Sequence, residues 1–182
     1  MSGPSGVGKT TLRKKVQKKM AQLRFSISWT TRDRRPGERD GRDYRFASRR
    51  EFEDKIKSKG FLEWARVHNE FYGTPRDPIR RWTARGDDVI LDIDIQGARQ
   101  VKKRIPQAVT IFILPPSRKA LQGRLIQRET EPASMIRLRL ANAEREMRQW
   151  KHFDYAVVND DLRSAVAALE AIVKADRLRV KR

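Results

Sequence analysis

The sequence predicts an α/β fold from three observations. Gly3-Pro4-Ser5-Gly6-Val7-Gly8-Lys9-Thr10 places two glycines, Gly3 and Gly8, with four residues between them ahead of Lys and Thr, the spacing of a loop that cradles phosphate where a helix begins. After residue 75, helical and strand-like patterns alternate, as they do when helices pack on a mainly parallel sheet. Asp88-Val89-Ile90-Leu91-Asp92-Ile93-Asp94 is an apolar run closing on two carboxylates, as a buried strand does when its carboxyl end faces a ligand. At 182 residues the chain suits one domain with inserted parts and can bury a real core.

Thr11 to Leu23 carries Leu12, Val16, Met20 and Leu23 on one helical face. Phe25 to Thr30, aromatic and β-branched, reads as a strand that delivers Thr31-Arg32-Asp33-Arg34-Arg35 to its end. Pro36-Gly37 through Gly41 is turn-rich, and Asp43 to Phe46 forms a short strand. Ser48-Arg49-Arg50-Glu51 is a capping box opening a helix to about Lys59, with Phe52 and Ile56 inward and Gly60 placed to end it. Phe61 to Val67 is a strand, and a shorter one lies around Phe71-Tyr72. Pro78 to Arg85 and Gln96 to Arg104 are helices, and Val109 to Leu114 is a buried strand stopped by Pro115-Pro116. Ser117 caps a helix with Leu121, Arg124, Leu125 and Arg128. A polar stretch, Glu129 to Ser134, joins it to a long helix with Ile136, Arg139 and Leu140, a pairing that suggests a lid. Tyr155 to Asn159 is the last strand, and Asp161 caps a final amphipathic helix.

Lys and Arg number 42 against 23 Asp and Glu, and the net charge of +19 exceeds what one polyphosphate site requires. No acidic residue precedes Asp33, and basic residues cluster from Lys9 to Arg24 and from Arg177 to Arg182. A solvated surface accounts for this excess better than a nucleic-acid footprint, because neither cluster interleaves exposed aromatic residues. The absence of Cys excludes a disulfide framework and a thiolate metal site, and only His68 and His152 supply imidazoles. No apolar run approaches a membrane span and no secretory apolar core opens the chain, so a cytoplasmic setting is expected.

Several side chains suit phosphate chemistry. The loop glycines let successive N–H groups face one concavity, Lys9 can bridge terminal phosphates, and the Thr10 hydroxyl can ligate Mg²⁺; the plainer reading is a Gly-rich turn. An arginine pair in the run after Thr30 suits an anion clamp, or a solvated basic loop. Asp92 and Asp94, two apart on a strand, share a face and suit Mg²⁺ or its waters, or simply end the strand. Arg124 and Arg128, four apart on a helix, share a face as two cations meeting one triphosphate would, or face solvent.

Taken in order, the phosphate loop, Ser28-Trp29-Thr30-Thr31-Arg32, Arg35-Pro36-Gly37-Glu38, Gly41-Arg42-Asp43-Tyr44, Glu63-Trp64-Ala65, Tyr72-Gly73-Thr74, Leu91-Asp92-Ile93-Asp94-Ile95-Gln96-Gly97 and Val158-Asn159-Asp160-Asp161 closely resemble the guanylate kinase family, over residues 2 to about 173. The resemblance implies a three-layer P-loop α/β/α core with a parallel sheet over 1–30, 75–116 and 141–182. It adds a GMP-binding subdomain over 31–74 and a helical lid over 117–140. It implies transfer of the ATP γ-phosphoryl group to GMP with Mg²⁺, by a monomer or homodimer. On the ATP side it assigns Gly3, Pro4, Ser5, Gly6, Val7, Gly8, Lys9, Thr10 and Thr11, with Asn159 where adenine is met. On the GMP side, Arg32, Arg35, Tyr44 and Tyr72 hold phosphate, Ser28, Glu63 and Thr74 read guanine, and Glu38 lines the same site. Asp92 and Asp94 serve the Mg²⁺ and phosphate region, Asp92 and Thr10 being the metal donors. Lys9, Arg124, Arg128 and Arg139 neutralise the transferring group.

Physical chemistry supports guanine separately from the resemblance. Guanine's N1–H and N2–H₂ donors beside O6 complement Glu63 and nearby hydroxyls, whereas adenine's reversed edge leaves that carboxylate facing an acceptor. Two departures stand out. The family carries an apolar strand directly ahead of the loop, and here only Met1-Ser2 precede Gly3, so an upstream start is expected in preference to a tolerated gap in the sheet. Glu129 replaces a glycine usual after the lid arginine. The alternatives are a guanylate-kinase-like interaction module without catalysis, disfavoured by Lys9, Arg32, Asp92 and Arg128, and a P-loop kinase for another phosphorylated acceptor, disfavoured by Ser28, Glu63 and Thr74.

Overall fold

The computed structural model describes residues 1–67, 69–126 and 133–180, the side chains of 133–139 excepted. In chain order the elements are α1 (Lys9–Lys19), β1 (Leu23–Phe25), β2 (Trp29–Thr30), β3 (Arg45–Phe46), α2 (Arg49–Lys57), β4 (Phe61–Val67), β5 (Glu70–Pro75), α3 (Arg76–Ala84), β6 (Asp88–Ile90), α4 (Ile95–Arg104), β7 (Ile111–Leu114), α5 (Arg118–Ile126), α6 (Ala133–Met147), β8 (Tyr155–Val158) and α7 (Leu162–Arg177). They gather into two compact units, one of residues 1–21 and 107–182, the other of residues 22–106. No described helix is long and apolar enough to cross a membrane.

In the first unit β7 and β8 run parallel, Ile111 opposite Tyr155 through Leu114 opposite Val158. Ser2 bonds the opposite edge of β7. Its N–H donates to the Ile111 carbonyl at 2.8 Å and its carbonyl accepts from the Ile113 N–H at 2.8 Å. One bridge thus stands where the family pattern places a strand. Phe112 and Ile113 are fully buried, and α1 packs on α7 with Leu12, Val16, Val166 and Leu169 in the core. Leu121, Leu125, Leu140 and Ala143 join α5 to α6.

The helical stripe read from Leu12 to Leu23 is shorter in the structure. Met20 is extended (φ −124°) and closes α1. Leu23 already belongs to β1, opposite Asp88, so ladder pairing overrides the helical spacing.

The second unit holds the parallel pair β1–β6 and a four-stranded sheet ordered β3-β2-β5-β4. The strand expected over Phe25–Thr30 is therefore two. Phe25 pairs with Ile90 in one sheet and Trp29 with Gly73 in the other, and a chain that serves two ladders must break between them. The strand expected to reach Asp94 stops at Ile90, and Asp94 instead caps α4, its Oδ1 accepting the Gly97 N–H at 2.7 Å. Strand alternation consequently does not put Asp92 and Asp94 on one face.

The capping box of α2 is present, the Ser48 hydroxyl accepting the Glu51 N–H and the Glu51 carboxylate accepting the Ser48 N–H. At its far end Lys59, not Gly60, takes the left-handed conformation (φ 54°). Lys59 N–H bonds the Ile56 carbonyl and Gly60 N–H the Lys55 carbonyl, the paired bonds of a Schellman ending. Phe52 stacks on Phe61 and Phe71, with ring centroids 4.4 and 5.4 Å away, and fixes α2 on the sheet.

Candidate active site

The loop from Gly3 to Gly8 runs from the Ser2 bridge into α1. Gly8 has φ 97°, and a Cβ there would lie 2.6 Å from Asn159 Nδ2, so both handedness and close approach require glycine. Asn159 is only 6% exposed and donates Nδ2 to the Val7 carbonyl at 2.8 Å. Arg124 donates to the same carbonyl at 3.3 Å and to the Asn159 carbonyl at 2.9 Å. These two side chains brace the loop.

Lys9 Nζ folds onto the Gly3 carbonyl at 2.6 Å and the Pro4 carbonyl at 3.2 Å. No side chain caps α1 and no acidic residue lies in its first turn, so its leading N–H groups and positive dipole end suit an anion. Ser5, Thr10 and Thr11 are exposed, whereas Pro4 and Val7 are buried. Of the expected lid arginines, Arg124 is placed as above; Arg128, like Glu129, lies outside the described residues, as does the side chain of Arg139.

In the second unit a further set of expected residues converges on Arg32. Its Nη2 donates to both carboxylate oxygens of Glu38, at 2.9 and 3.0 Å. Its guanidinium lies 5.5 Å from the Tyr44 ring centroid and 5.7 Å from that of Phe46, a contact the sequence did not signal. Burial opposes the Arg32 charge, but the hydrogen bond and charge of Glu38 outweigh it and raise the pKa. Glu38 shows the converse: burial pushes its carboxyl up, and Arg32 with the Arg35 N–H at 2.8 Å holds it below the usual range.

Tyr44 meets Tyr72 edge to face at 6.0 Å. Burial and then the charge of Asp92 push the Tyr44 phenol up to about 12, which brings Asp92 within electrostatic reach of the ring. Arg35 itself is exposed and joins through its backbone.

Glu63 is 3% exposed and accepts the Thr74 hydroxyl at 2.5 Å. Burial first, with the neighbouring Asp94 charge, pushes its carboxyl up to about 7, against the pull of the Thr74 bond and Arg104. Ser28 is buried in the same unit. A Cβ on Gly97 would sit 2.4 Å from Glu63 Oε2, so the first turn of α4 presses its backbone against this carboxylate. Gly97 was visible in the sequence only as part of the Ile95-Gln96-Gly97 match.

Fold and loop together define a P-loop nucleotide-binding α/β protein. The family model described as guanylate kinase matches residues 1–176. A guanylate kinase of Symbiobacterium thermophilum is 47% identical over 182 residues, covering 100% of this chain and 86% of the relative. That of Alcanivorax borkumensis is 51% identical over 178 residues, covering 98% and 86%. A crystal structure of guanylate kinase from Anaplasma phagocytophilum superposes with a TM-score of 0.84 at 31% identity, over 98% of this chain and 85% of that one. The chain belongs to the guanylate kinase family.

Proposed function

We propose that the protein transfers the γ-phosphoryl group of ATP to GMP, giving ADP and GDP, as a cytoplasmic enzyme of purine nucleotide metabolism. The buried Glu63–Thr74 pair carries the choice of acceptor. A carboxylate excluded from water must find donors, and guanine's N1–H and N2–H₂ supply two, whereas adenine would oppose it with a ring nitrogen acceptor. Ser28 completes this reading, and Arg32, Arg35, Tyr44 and Tyr72 take the GMP phosphate. Glu38, bonded to Arg32 and to the Arg35 backbone, orients that clamp. In this reading residues 31–74 form the acceptor subdomain and 117–140 the lid.

On the donor side Lys9 exchanges the Gly3 and Pro4 carbonyls for phosphate oxygens, while the loop amides and the α1 dipole hold the anion. The attacking oxygen belongs to a phosphate monoester with a second pKa of about 6, so it arrives largely ionised and no general base is needed. Catalysis reduces to in-line positioning and neutralisation of charge by Lys9 and the arginines.

Among the described residues no cluster of three or more His, Cys, Asp or Glu forms a protein cage for a metal. That donor set fits Mg²⁺, which retains waters and binds phosphate oxygens with one or two protein ligands. Thr10, exposed in the first turn of α1, would offer its hydroxyl as one such ligand, and the ion would supply neutralisation of phosphate charge. A coupled ADP-release assay tests the proposal. GMP should drive turnover and AMP should be poorer in kcat/KM by roughly 10⁴-fold. Folded protein without GMP turnover refutes the enzyme reading, and equal use of AMP refutes the guanine reading.

A further inference from the structure

The carboxylate assigned to guanine sits on a strand with an open edge. β4 pairs with β5 alone among the described strands, so the backbone groups along its other edge need different partners. Helix α4 provides them. Gln100 Nε2 donates to the Trp64 carbonyl at 2.7 Å while its Oε1 accepts the Trp64 N–H at 3.4 Å, the two bonds a neighbouring strand would make. One turn further on, Arg104 Nη1 donates to the Leu62 carbonyl. One turn earlier, Gly97 lies against Glu63 itself. Residues 97, 100 and 104 are three and four apart, which places them on one helical face.

Glu63 lies between the two pinned residues, and the β4–β5 register shifts between Phe61 and Glu63. Phe61, Leu62 and Glu63 are all buried, where a regular strand would alternate. A bulge of this kind re-aims the side chain beside it, and a slip of one residue would turn Glu63 to the other face.

We infer that Gln100 and Arg104 are positioning residues for nucleotide specificity. By fixing the backbone of Trp64 and Leu62 on either side of Glu63, they hold the bulged register that aims its carboxylate at the guanine edge. The inference rests on Glu63 being the guanine contact, and neither residue touches substrate.

The test is a set of coupled assays on the full chain with GMP, inosine monophosphate, which lacks the N2 amino donor, and AMP. Gln100→Met keeps the volume of the side chain and removes both bonds; Arg104→Met removes the third. Each should lower kcat/KM for GMP on the order of tenfold and shrink the GMP-to-inosine-monophosphate ratio by a similar factor, with KM for ATP unchanged. The pH at which GMP binding weakens should move as well, because the Glu63 surroundings change. Glu63→Gln is measured beside them. Should it collapse the GMP preference while both methionine variants keep the wild-type ratio, the inference is overturned and the guanine contact stands. A Glu63→Gln protein that still prefers GMP overturns the guanine contact and the inference with it. Parallel losses for all nucleotides and for ATP, with a lowered melting temperature, would also overturn it, since that pattern reports a scaffold role alone.

Discussion

Raising the pH from 6 to 8 should tighten GMP binding through Glu63. Its carboxyl stands at about 7 in the free protein in place of 4.5 because it is buried and lies near Asp94. Guanine presents donors to it, so the ionised form is the competent one, and the apparent Kd equals the intrinsic value divided by the ionised fraction. With a pKa near 7 that fraction is about 0.09 at pH 6 and about 0.9 at pH 8, so Kd should fall roughly tenfold.

Bound donors lower the carboxyl pKa, so binding at pH 6.5 releases part of a proton. Calorimetry in two buffers of different ionisation enthalpy counts it. The GMP phosphate titrates near pH 6 as well, at about the usual monoester value, and Glu63→Gln, which cannot ionise, isolates that contribution. Identical pH dependence and proton release in wild type and Glu63→Gln would refute the reasoning.

The same group bears on stability with a definite sign. A folded pKa above the unfolded one contributes stability that is complete below pH 4.5 and disappears as pH rises through about 7, roughly 3 kcal/mol across that window.

Three further outcomes follow from the geometry. Gly8→Ala forces a left-handed alanine with its Cβ 2.6 Å from Asn159 Nδ2 and should cost about 1–3 kcal/mol, read as a lowered melting temperature. Phe52→Ala removes a fully buried ring stacked on Phe61 and Phe71 and should cost about 3–5 kcal/mol in urea unfolding. Lys9→Met should leave the melting temperature nearly unchanged, because among the described residues Lys9 bonds two loop carbonyls, yet lower kcat by about 10²-fold or more.

Features set by chemistry within a few residues were readable from sequence. The Ser48–Glu51 box and the Asp161 cap, whose carboxylate accepts the Ser164 N–H at 2.7 Å, declare themselves because donor and acceptor are three residues apart. The phosphate loop did so through its glycines. What depended on a distant partner was not readable. Nothing local says that Phe25 and Trp29 serve different sheets, and Asp94 looks like the twin of Asp92 until α4 claims it as a cap.

Asn159 was expected where adenine is met, and the structure gives its amide a buried bond to Val7, 152 residues away along the chain. Gln100 and Arg104 resemble any solvated helical pair, and only the open edge of β4 gives them a task. Residue types conveyed the chemistry of the candidate site, whereas the contacts that hold those residues arise from pairings across long separations.

Transfer of a labelled γ-phosphoryl group tests the central claim most directly. ATP carrying the label is incubated with the protein, Mg²⁺ and GMP, and the products are separated. The label should appear in the β-position of GDP, in step with ADP formation and only when GMP is present. Label recovered solely as inorganic phosphate, or left in ATP with GMP unchanged, would contradict the account.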